Sequence, residues 1–199
     1  MIKFQDLNEG KPYIVFKRLY DEAEHRNQKS LDAVAISSFD KNKDEVDSRF
    51  VNLKYIINDK WIFFSNYNSN KARAFDTHSQ ISALFYWKKI NVQVRLKGKI
   101  SIADKDFSDK HFSERNPEKN ALAISSKQSK KIDSFDEVKK NYLEVLEQIK
   151  TNEARPEYWG GFVFTPYYFE FWQGSEFRLN KREVYELKSN RWISYLLQP

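Results

Sequence analysis

Apolar positions along the chain first recur with the period of a helix and then change to the short runs typical of strands. Residues 13–26 carry apolar side chains three and four apart, which predicts a helix that packs one face. Five short β-rich segments separated by polar turns follow, and they predict an antiparallel meander or barrel. These segments are residues 31–40, 49–57, 60–66, 81–87 and 92–103.

Helical segments interrupt and follow these strands. Residues 69–78 begin at Ser69, a good N-cap residue, and residues 104–115 place Phe107, His111 and Arg115 four apart on one face. Three further strand-like segments close the chain, at residues 161–174, 181–188 and 191–199. We therefore predict a mainly β protein with helices (α+β), a small antiparallel β-barrel formed by residues 1–199 as one domain.

One longer helix is predicted over residues 134–150. Ser134 and Glu137 have the spacing of a capping box at its start. An apolar stripe then runs along the segment at helical spacing, and we expect this stripe to contact the core. Its members are Phe135, Val138, Tyr142, Val145, Leu146 and Ile149.

Composition narrows the possible chemistry. The net charge of +6 favours an anionic partner, which could be nucleic acid, a phosphorylated metabolite or a phosphorylated cofactor, although a solvated lysine-rich surface has the same composition. The absence of cysteine excludes disulfides and thiolate catalysis. The three histidines are too scattered for a metal site, and we expect them on the surface. The N-terminal residues lack a signal peptide's apolar core and no segment could span a membrane, so we expect a cytoplasmic location.

Three polar stretches could hold an anion. In SRFVNLK (48–54), regular strand alternation would point Arg49 and Lys54 to opposite faces unless a bulge intervenes. Lys71 lies in the first turn of the helix that begins near Ser69, where free N–H groups favour a phosphate, although most serine-capped helices bind nothing. SSKQSKK (125–131) offers hydroxyl, amide and ammonium donors, as ordinary solvated loops also do.

The segment FWQGSEFRLNKR (171–182) combines stacking with charge. Trp172 provides a flat aromatic surface, and Arg178 and Arg182 offer planar donors to oxyanions. An aromatic phosphorylated ligand would use both features, and so would single-stranded nucleic acid. These residues alone do not choose between the two.

Taken in order, eight segments resemble the pyridoxamine (pyridoxine) 5′-phosphate oxidase family of FMN enzymes, from about residue 13 to the last residue. The resemblance implies a split β-barrel that forms a homodimer with FMN at the subunit interface, in which residues 155–199 complete the active site. It also removes the reason to expect nucleic acid, and no membrane partner is expected. The segments are SRFVNLK, FFSNYNSNK, FYWKKINVQVRLKGK, SSKQS, WGGF, EFWQG, RLNKR and WISYLLQP.

The resemblance also implies roles for individual residues. Lys54 and Arg115 would bind the substrate phosphate, and Arg178 would cover the substrate ring as the catalytic residue. The implied reaction oxidises the C4′ carbon of pyridoxine or pyridoxamine 5′-phosphate, with dioxygen as electron acceptor and hydrogen peroxide as product. The implied FMN contacts are Arg49, Phe50, Val51, Asn52, Lys54, Phe64, Ser65, Lys71, Gln93, Gln128, Ser129, Trp172 and Arg182.

Four positions depart from the family pattern. His111 and Lys119 stand where the family usually has a tyrosine and a serine that bind the substrate phosphate, and Asn180 replaces the histidine of RLHDR. Asn70 replaces an arginine that commonly precedes Lys71 at the FMN phosphate. Three readings therefore stay open: an oxidase of vitamin B6 phosphates, a flavin oxidase of another small ring as in phenazine biosynthesis, and a non-catalytic protein that binds FMN.

Overall fold

The computed structural model describes residues 1–149 and 153–199, and in these ranges the chain forms nine strands and five α-helices. The strands are β1 (Lys3–Gln5), β2 (Ala33–Asp40), β3 (Glu45–Ile57), β4 (Lys60–Asn66), β5 (Gln80–Trp87), β6 (Val92–Ile102), β7 (Trp159–Gln173), β8 (Lys181–Lys188) and β9 (Arg191–Leu197). The helices are α1 (Lys11–His25), α2 (Asn70–Thr77), α3 (Lys105–Ser113), α4 (Pro117–Ser125) and α5 (Phe135–Gln148). Short 3₁₀ turns lie at Lys88–Ile90 and Glu176–Arg178.

The strands close into a barrel. The sheet order is β1-β3-β2-β5-β6-β7-β8-β9, and β4 pairs with both β3 and β7, which closes the ring. Every pairing is antiparallel except that of β1 with β3. The strands β8 and β9 extend the sheet beyond β7, outside the ring. The predicted mainly β, antiparallel barrel with helices is confirmed.

Helix α1 fills the barrel because its apolar face carries a large aromatic residue at the centre. Phe16 is fully buried and its ring centroid lies 4.5 Å from that of Trp61 and 5.4 Å from those of Phe85 and Trp87. Aromatic pairs at these separations stabilise a core beyond simple area burial. This cluster, with the buried faces of β2–β7, fixes the strands that carry the polar side chains described below.

Strand β7 keeps one face in the core along its whole length despite a change of register. Phe162 and Phe164 are buried before an irregularity opposite Lys97 and Gly98, and Phe169 and Phe171 are buried after it. A bulge inserts one extra residue, so the buried positions change from even-numbered residues before it to odd-numbered residues after it. Tyr168, Glu170 and Trp172, which alternate with Phe169 and Phe171, therefore belong to the outer face of the sheet.

The expectation that the apolar stripe of α5 contacts the core is wrong. No residue of α5 is buried, Phe135 is 70% exposed, and the stripe is half-buried beside α4. The predicted N-cap is present, because Ser134 Oγ accepts a hydrogen bond from the Glu137 N–H at 3.1 Å. Residue 150 of the predicted helix lies outside the described residues.

Two elements were absent from the prediction. The short strand β1 pairs beside β3, and α4 follows α3 after a break of three residues. The sequence Asn116-Pro117 is a helix-start signal, since proline at the first helical position has no N–H to leave unpaired. The predicted helix 104–115 ends at Ser113, so Arg115 lies just beyond it.

Candidate active site

Most of the predicted site residues line one polar cleft of about 950 Å³ on the side of the barrel. The cleft lies where β3 and β4 meet the start of α2, the end of α3 and the loop before α5. The predicted residues found here are Arg49, Phe50, Val51, Asn52, Lys54, Phe64, Ser65, Lys71, Arg115, Gln128 and Ser129.

Lys71 is a buried cation at one end of this cleft. It is 7% exposed, and its ammonium donates hydrogen bonds to Ser65 Oγ at 2.8 Å and Ser69 Oγ at 3.2 Å. Burial, and secondarily the positive charge of Arg49, lowers the pKa of Lys71 from 10.5 to about 8. Among the described residues, no carboxylate forms an ion pair with it. A buried ammonium held only by hydroxyl groups is suited to an incoming anion.

Arg49 lies beside Lys71 in the same cleft. Its Nη1 donates to Ser38 Oγ at 2.8 Å and to the Ile36 carbonyl at 3.2 Å, and its Nη2 pairs with the Asp47 carboxylate. These bonds fix the guanidinium at the cleft wall. Asp47 also lines the cleft and was not predicted as a site residue.

Lys54 reaches the same cleft as Arg49 because the β3–β4 pairing is irregular at this point. The register shifts between Leu53 and Tyr55, and this is the bulge that allows Arg49 and Lys54 to face the same side. The Lys54 ammonium pairs with the Asp32 carboxylate at 2.9 Å. Lys54 lowers the pKa of this carboxyl, although burial of Asp32 acts in the opposite direction.

Two predicted residues attach the loop 126–134 to the end of β4 and to the start of α2. Gln128 Oε1 accepts from Ser65 Oγ at 3.2 Å and from the Asn66 N–H at 3.3 Å. Ser129, which has a left-handed backbone (φ 70°), accepts from the Asn70 N–H through Oγ at 3.4 Å. Polar side chains of the loop and of the β4–α2 junction therefore surround Lys71.

Parallel aromatic rings form the opposite wall of the cleft. The His111 imidazole stacks on Phe64 with centroids 3.6 Å apart and planes at 10°, and Trp159 stacks on Phe64 at 5.4 Å. The Arg115 guanidinium lies 4.5 Å from the Trp159 ring centroid. Cation–π contact and burial hold Arg115 at the cleft despite its position outside α3.

His111 is half-buried in this wall, so the expectation that it is a surface residue is wrong. Its Nδ1 lies 2.9 Å from the Tyr55 hydroxyl. Burial, followed by the charges of Arg115, Lys3 and Lys54, lowers its pKa to about 4, so the ring is neutral at pH 7. Among the cations that line the cleft, Arg49 therefore acts on Lys71, and Arg115 and Lys54 act on His111.

Four predicted residues lie outside the cleft. Gln93 of β6, Trp172 of β7 and Arg182 of β8 are direct neighbours across the sheet and share its outer face. Arg178 follows in the exposed 3₁₀ turn that joins β7 to β8. Within one chain these four residues form a second group, which does not meet the first.

Prediction missed several residues of the cleft wall. Trp159 belongs to the WGGF segment, so the resemblance contained a signal for it. The two glycines that follow it have a packing role, because a side chain on Gly160 would collide with Tyr67 and one on Gly161 would crowd Ala103. Asp47, Glu114 and Asn116 gave no signal of their own.

Two family models, both named for pyridoxamine or pyridoxine 5′-phosphate oxidase, match most of the chain. Residues 21–149 match the family described as pyridoxamine 5′-phosphate oxidase. Residues 159–199 match the family described as the pyridoxine 5′-phosphate oxidase C-terminal dimerisation region, which supports a homodimer. No helix in the described ranges is long and apolar enough to cross a membrane.

Individual relatives give the same result. The chain is 31% identical over 190 residues to a pyridoxine/pyridoxamine 5′-phosphate oxidase of Leptospira biflexa, covering 94% of this chain and 89% of the relative. It is 31% identical over 199 residues to the Neisseria meningitidis enzyme of the same name, covering 98% and 94%. The crystal structure of PhzG from Burkholderia lata, in complex with tetrahydrophenazine-1-carboxylic acid, superimposes with a TM-score of 0.89 at 25% identity, covering 96% of this chain and 93% of that one.

Together these findings define the class of protein as a split β-barrel of the oxidase type. The chain belongs to the pyridoxamine 5′-phosphate oxidase family.

Proposed function

We propose that the chain is an FMN-dependent oxidase that converts pyridoxamine or pyridoxine 5′-phosphate to pyridoxal 5′-phosphate with dioxygen as electron acceptor. The observation that carries the proposal is the buried Lys71 ammonium, which has hydroxyl partners and the Arg49 guanidinium beside it. A phosphate would offset the cost of burying this charge. Family membership supports FMN as the phosphorylated group to expect.

The donor set of the cleft fits the phosphate of FMN. Arg49, Lys71, Ser65 and Ser129 supply charged and hydroxyl donors at one end, where α2 begins. Three residues of the second group, Gln93, Trp172 and Arg182, would complete the flavin site from the other subunit of a homodimer. The match of residues 159–199 to a dimerisation region supports this arrangement.

Bound FMN would supply the redox chemistry of a two-electron oxidation in which dioxygen is the final electron acceptor. The task of the chain's own residues is binding and orientation. Lys54 and Arg115 would hold the substrate phosphate, and Arg178 would cover the substrate ring. His111 stays neutral at pH 7, so it can offer a hydrogen bond there without adding a further positive charge.

A second candidate function is oxidation of a carboxylated ring by the same flavin chemistry. It is favoured by the substitutions at the substrate end, where His111 and Lys119 line the cleft, and by the likeness to PhzG with its bound carboxylic acid. A carboxylate and a phosphate would both pair with Arg115 and Lys119. The two candidates therefore differ in substrate and share the cofactor.

The test is an anaerobic reduction. Purified protein is loaded with FMN, mixed with pyridoxamine 5′-phosphate without oxygen, and the visible absorbance of the flavin is followed. Bleaching that reverses on admitting air supports the proposal, and unphosphorylated pyridoxamine should bleach the flavin far more slowly because it lacks the anion. Persistent absorbance in protein shown to hold FMN would exclude the B6 reaction, and bleaching by tetrahydrophenazine-1-carboxylic acid would then support the second candidate.

A further inference from the structure

We propose that Glu170 is a positioning residue that fixes the Arg182 guanidinium for the flavin on the outer face of the sheet. The inference rests on the proposed function, because it assigns Glu170 a role in that same cofactor site. Glu170 acts through Arg182, so it is not assigned a contact with the flavin itself.

Glu170 is an unusual residue for the outer face of a sheet. It is 1% exposed, in the middle of β7 between Phe169 and Phe171, which point into the barrel. Its neighbours across the sheet are Arg95 on β6 and Val184 on β8. A carboxylate is almost never buried so completely unless it is paired.

The pairing partners come from both neighbouring strands. Glu170 Oε1 accepts a hydrogen bond from Arg182 Nε at 2.8 Å and forms an ion pair with Arg182 Nη2 at 2.8 Å, and Oε2 accepts from Arg95 Nη1 at 2.8 Å. The Tyr168 hydroxyl donates to Oε2 at 3.0 Å. The carboxylate thus joins two guanidinium groups and one phenol in a single network.

Arg182 is fixed by this network before any ligand binds. Its third nitrogen, Nη1, donates to the Gln198 carbonyl at 3.1 Å, so every nitrogen of the guanidinium has a partner. A long arginine side chain otherwise loses rotamer freedom when it binds, and holding it beforehand removes part of that cost. Arg182 directly faces Trp172 on the neighbouring strand, and Gln93 follows on the next strand.

Glu170 does more than join β7 to β6, because its two carboxylate oxygens have different partners. Arg95 directly faces Glu170 on the neighbouring strand and alone would satisfy one oxygen. The other oxygen is used entirely by Arg182, which approaches diagonally from β8. The second half of the carboxylate is therefore committed to the orientation of one predicted cofactor residue.

The experiment is a double-mutant cycle on FMN affinity. Quenching of FMN fluorescence gives the dissociation constant of the purified wild-type protein and of E170Q, R182M and the E170Q/R182M double variant. We expect E170Q to weaken FMN binding about tenfold, and R182M by at least as much, because charge-assisted hydrogen bonds are involved. The double variant should bind no more weakly than R182M alone, since Glu170 has no other route to the flavin.

Matched controls separate positioning from general loss of structure. Tyr168→Phe and Arg95→Met each remove another partner of the same carboxylate without touching Arg182, and both should bind FMN within about twofold of wild type. Dimer mass and thermal midpoint are measured for every variant. If E170Q does not fold, Glu170→Asp keeps the charge but shortens the side chain, and it should weaken FMN binding to an intermediate extent.

The outcomes are distinct. Suppose the wild-type protein binds FMN. If E170Q then binds FMN as tightly as wild type, or if the losses of E170Q and R182M add in full in the double variant, the positioning role is overturned and the proposed function stays intact. Equal losses in E170Q, Tyr168→Phe and Arg95→Met would indicate a structural network only, which also overturns it. A wild-type protein that does not bind FMN would overturn the proposed function together with this inference.

Discussion

Replacing Lys71 with methionine should weaken FMN binding while stabilising the protein in the absence of FMN. Methionine has a similar length and no charge, so it fills the same space between Ser65 and Ser69. The wild-type ammonium is costly in the apoprotein because it is buried without a carboxylate ion-pair partner among the described residues. The same ammonium is favourable once a phosphate lies against it.

The pKa of Lys71 gives the size of both effects. The difference between 10.5 and about 8 corresponds to about 3 kcal/mol, at roughly 1.4 kcal/mol per pH unit. Because the folded value is the lower one, the folded state binds fewer protons between pH 8 and 10.5, so stability of the apoprotein rises with pH through this window. The penalty is fully present below about pH 8. At pH 7 the methionine variant should therefore gain about 1–3 kcal/mol of unfolding free energy, less what the two hydroxyls lose as partners.

Binding of FMN should show the opposite dependence on pH. A bound phosphate raises the pKa of Lys71 again, so protein that has lost this proton must regain it in order to bind. With the free-protein pKa at about 8, the wild-type dissociation constant should rise about tenfold between pH 7 and 9. The phosphate of FMN changes little over this range, since its second pKa lies near 6.

The assay is fluorescence quenching of FMN by wild type and K71M from pH 6.5 to 9, together with urea unfolding of both apoproteins at pH 7. Riboflavin, which lacks the phosphate, serves as the control ligand and should show no comparable pH dependence. A wild-type dissociation constant that is flat from pH 7 to 9, or a K71M variant that binds FMN as tightly as wild type, would refute the reasoning. A K71M apoprotein less stable than wild type would refute the stability half alone.

Three further changes test other parts of the proposed site. Arg178→Ala should reduce turnover more than a hundredfold and FMN affinity less than threefold, and equal losses in steady-state kinetics and flavin titration would contradict its assignment to the substrate. Arg49→Ala should release the flavin on dialysis because it removes a phosphate partner, and protein that stays yellow would contradict this. Asn180→Ala should raise KM more than it changes flavin affinity, because Asn180 Oδ1 accepts the Ser175 N–H at 3.2 Å and closes the loop that carries Arg178; Asn180→Asp keeps an acceptor oxygen and should recover most of the loss.

The barrel could be predicted from local pattern because some of its strands, such as β5 and β6, alternate regularly between buried and more exposed residues. In β6, Val92, Val94 and Leu96 are buried while Arg95 and Lys97 are exposed. The alternation in the sequence therefore predicts which face of the sheet each side chain occupies. The role of α5 could not be predicted in the same way. Its amphipathic stripe indicates a partner surface, but nothing in the stripe specifies whether that surface is the barrel or the neighbouring α4.

The candidate site was predictable only in parts. Short segments such as SRFVNLK indicated individual cations, and the bulge at Lys54 decides whether two of them share a cleft. The aromatic wall is formed by residues distant in sequence, since Phe64, His111 and Trp159 come from β4, α3 and β7. No local pattern encodes their stacking, because it depends on how α3 packs against the sheet.

The arrangement of charge in the cleft fits two anionic ligands better than one. Of the cations that line the cleft, Arg49 acts electrostatically on Lys71, whereas Arg115 and Lys54 act on His111, so they form two sets by the side chain they act on. Grouped cations repel one another and raise the cost of the folded state unless each group receives a counterion. Asp47 and Asp32 partly offset this repulsion at Arg49 and Lys54, whereas the groups nearest the interior, Lys71 and Arg115, have no carboxylate partner among the described residues. Under the proposed function, a phosphorylated cofactor beside Arg49 and Lys71 and an anionic substrate beside Arg115 and Lys54 would neutralise both sets.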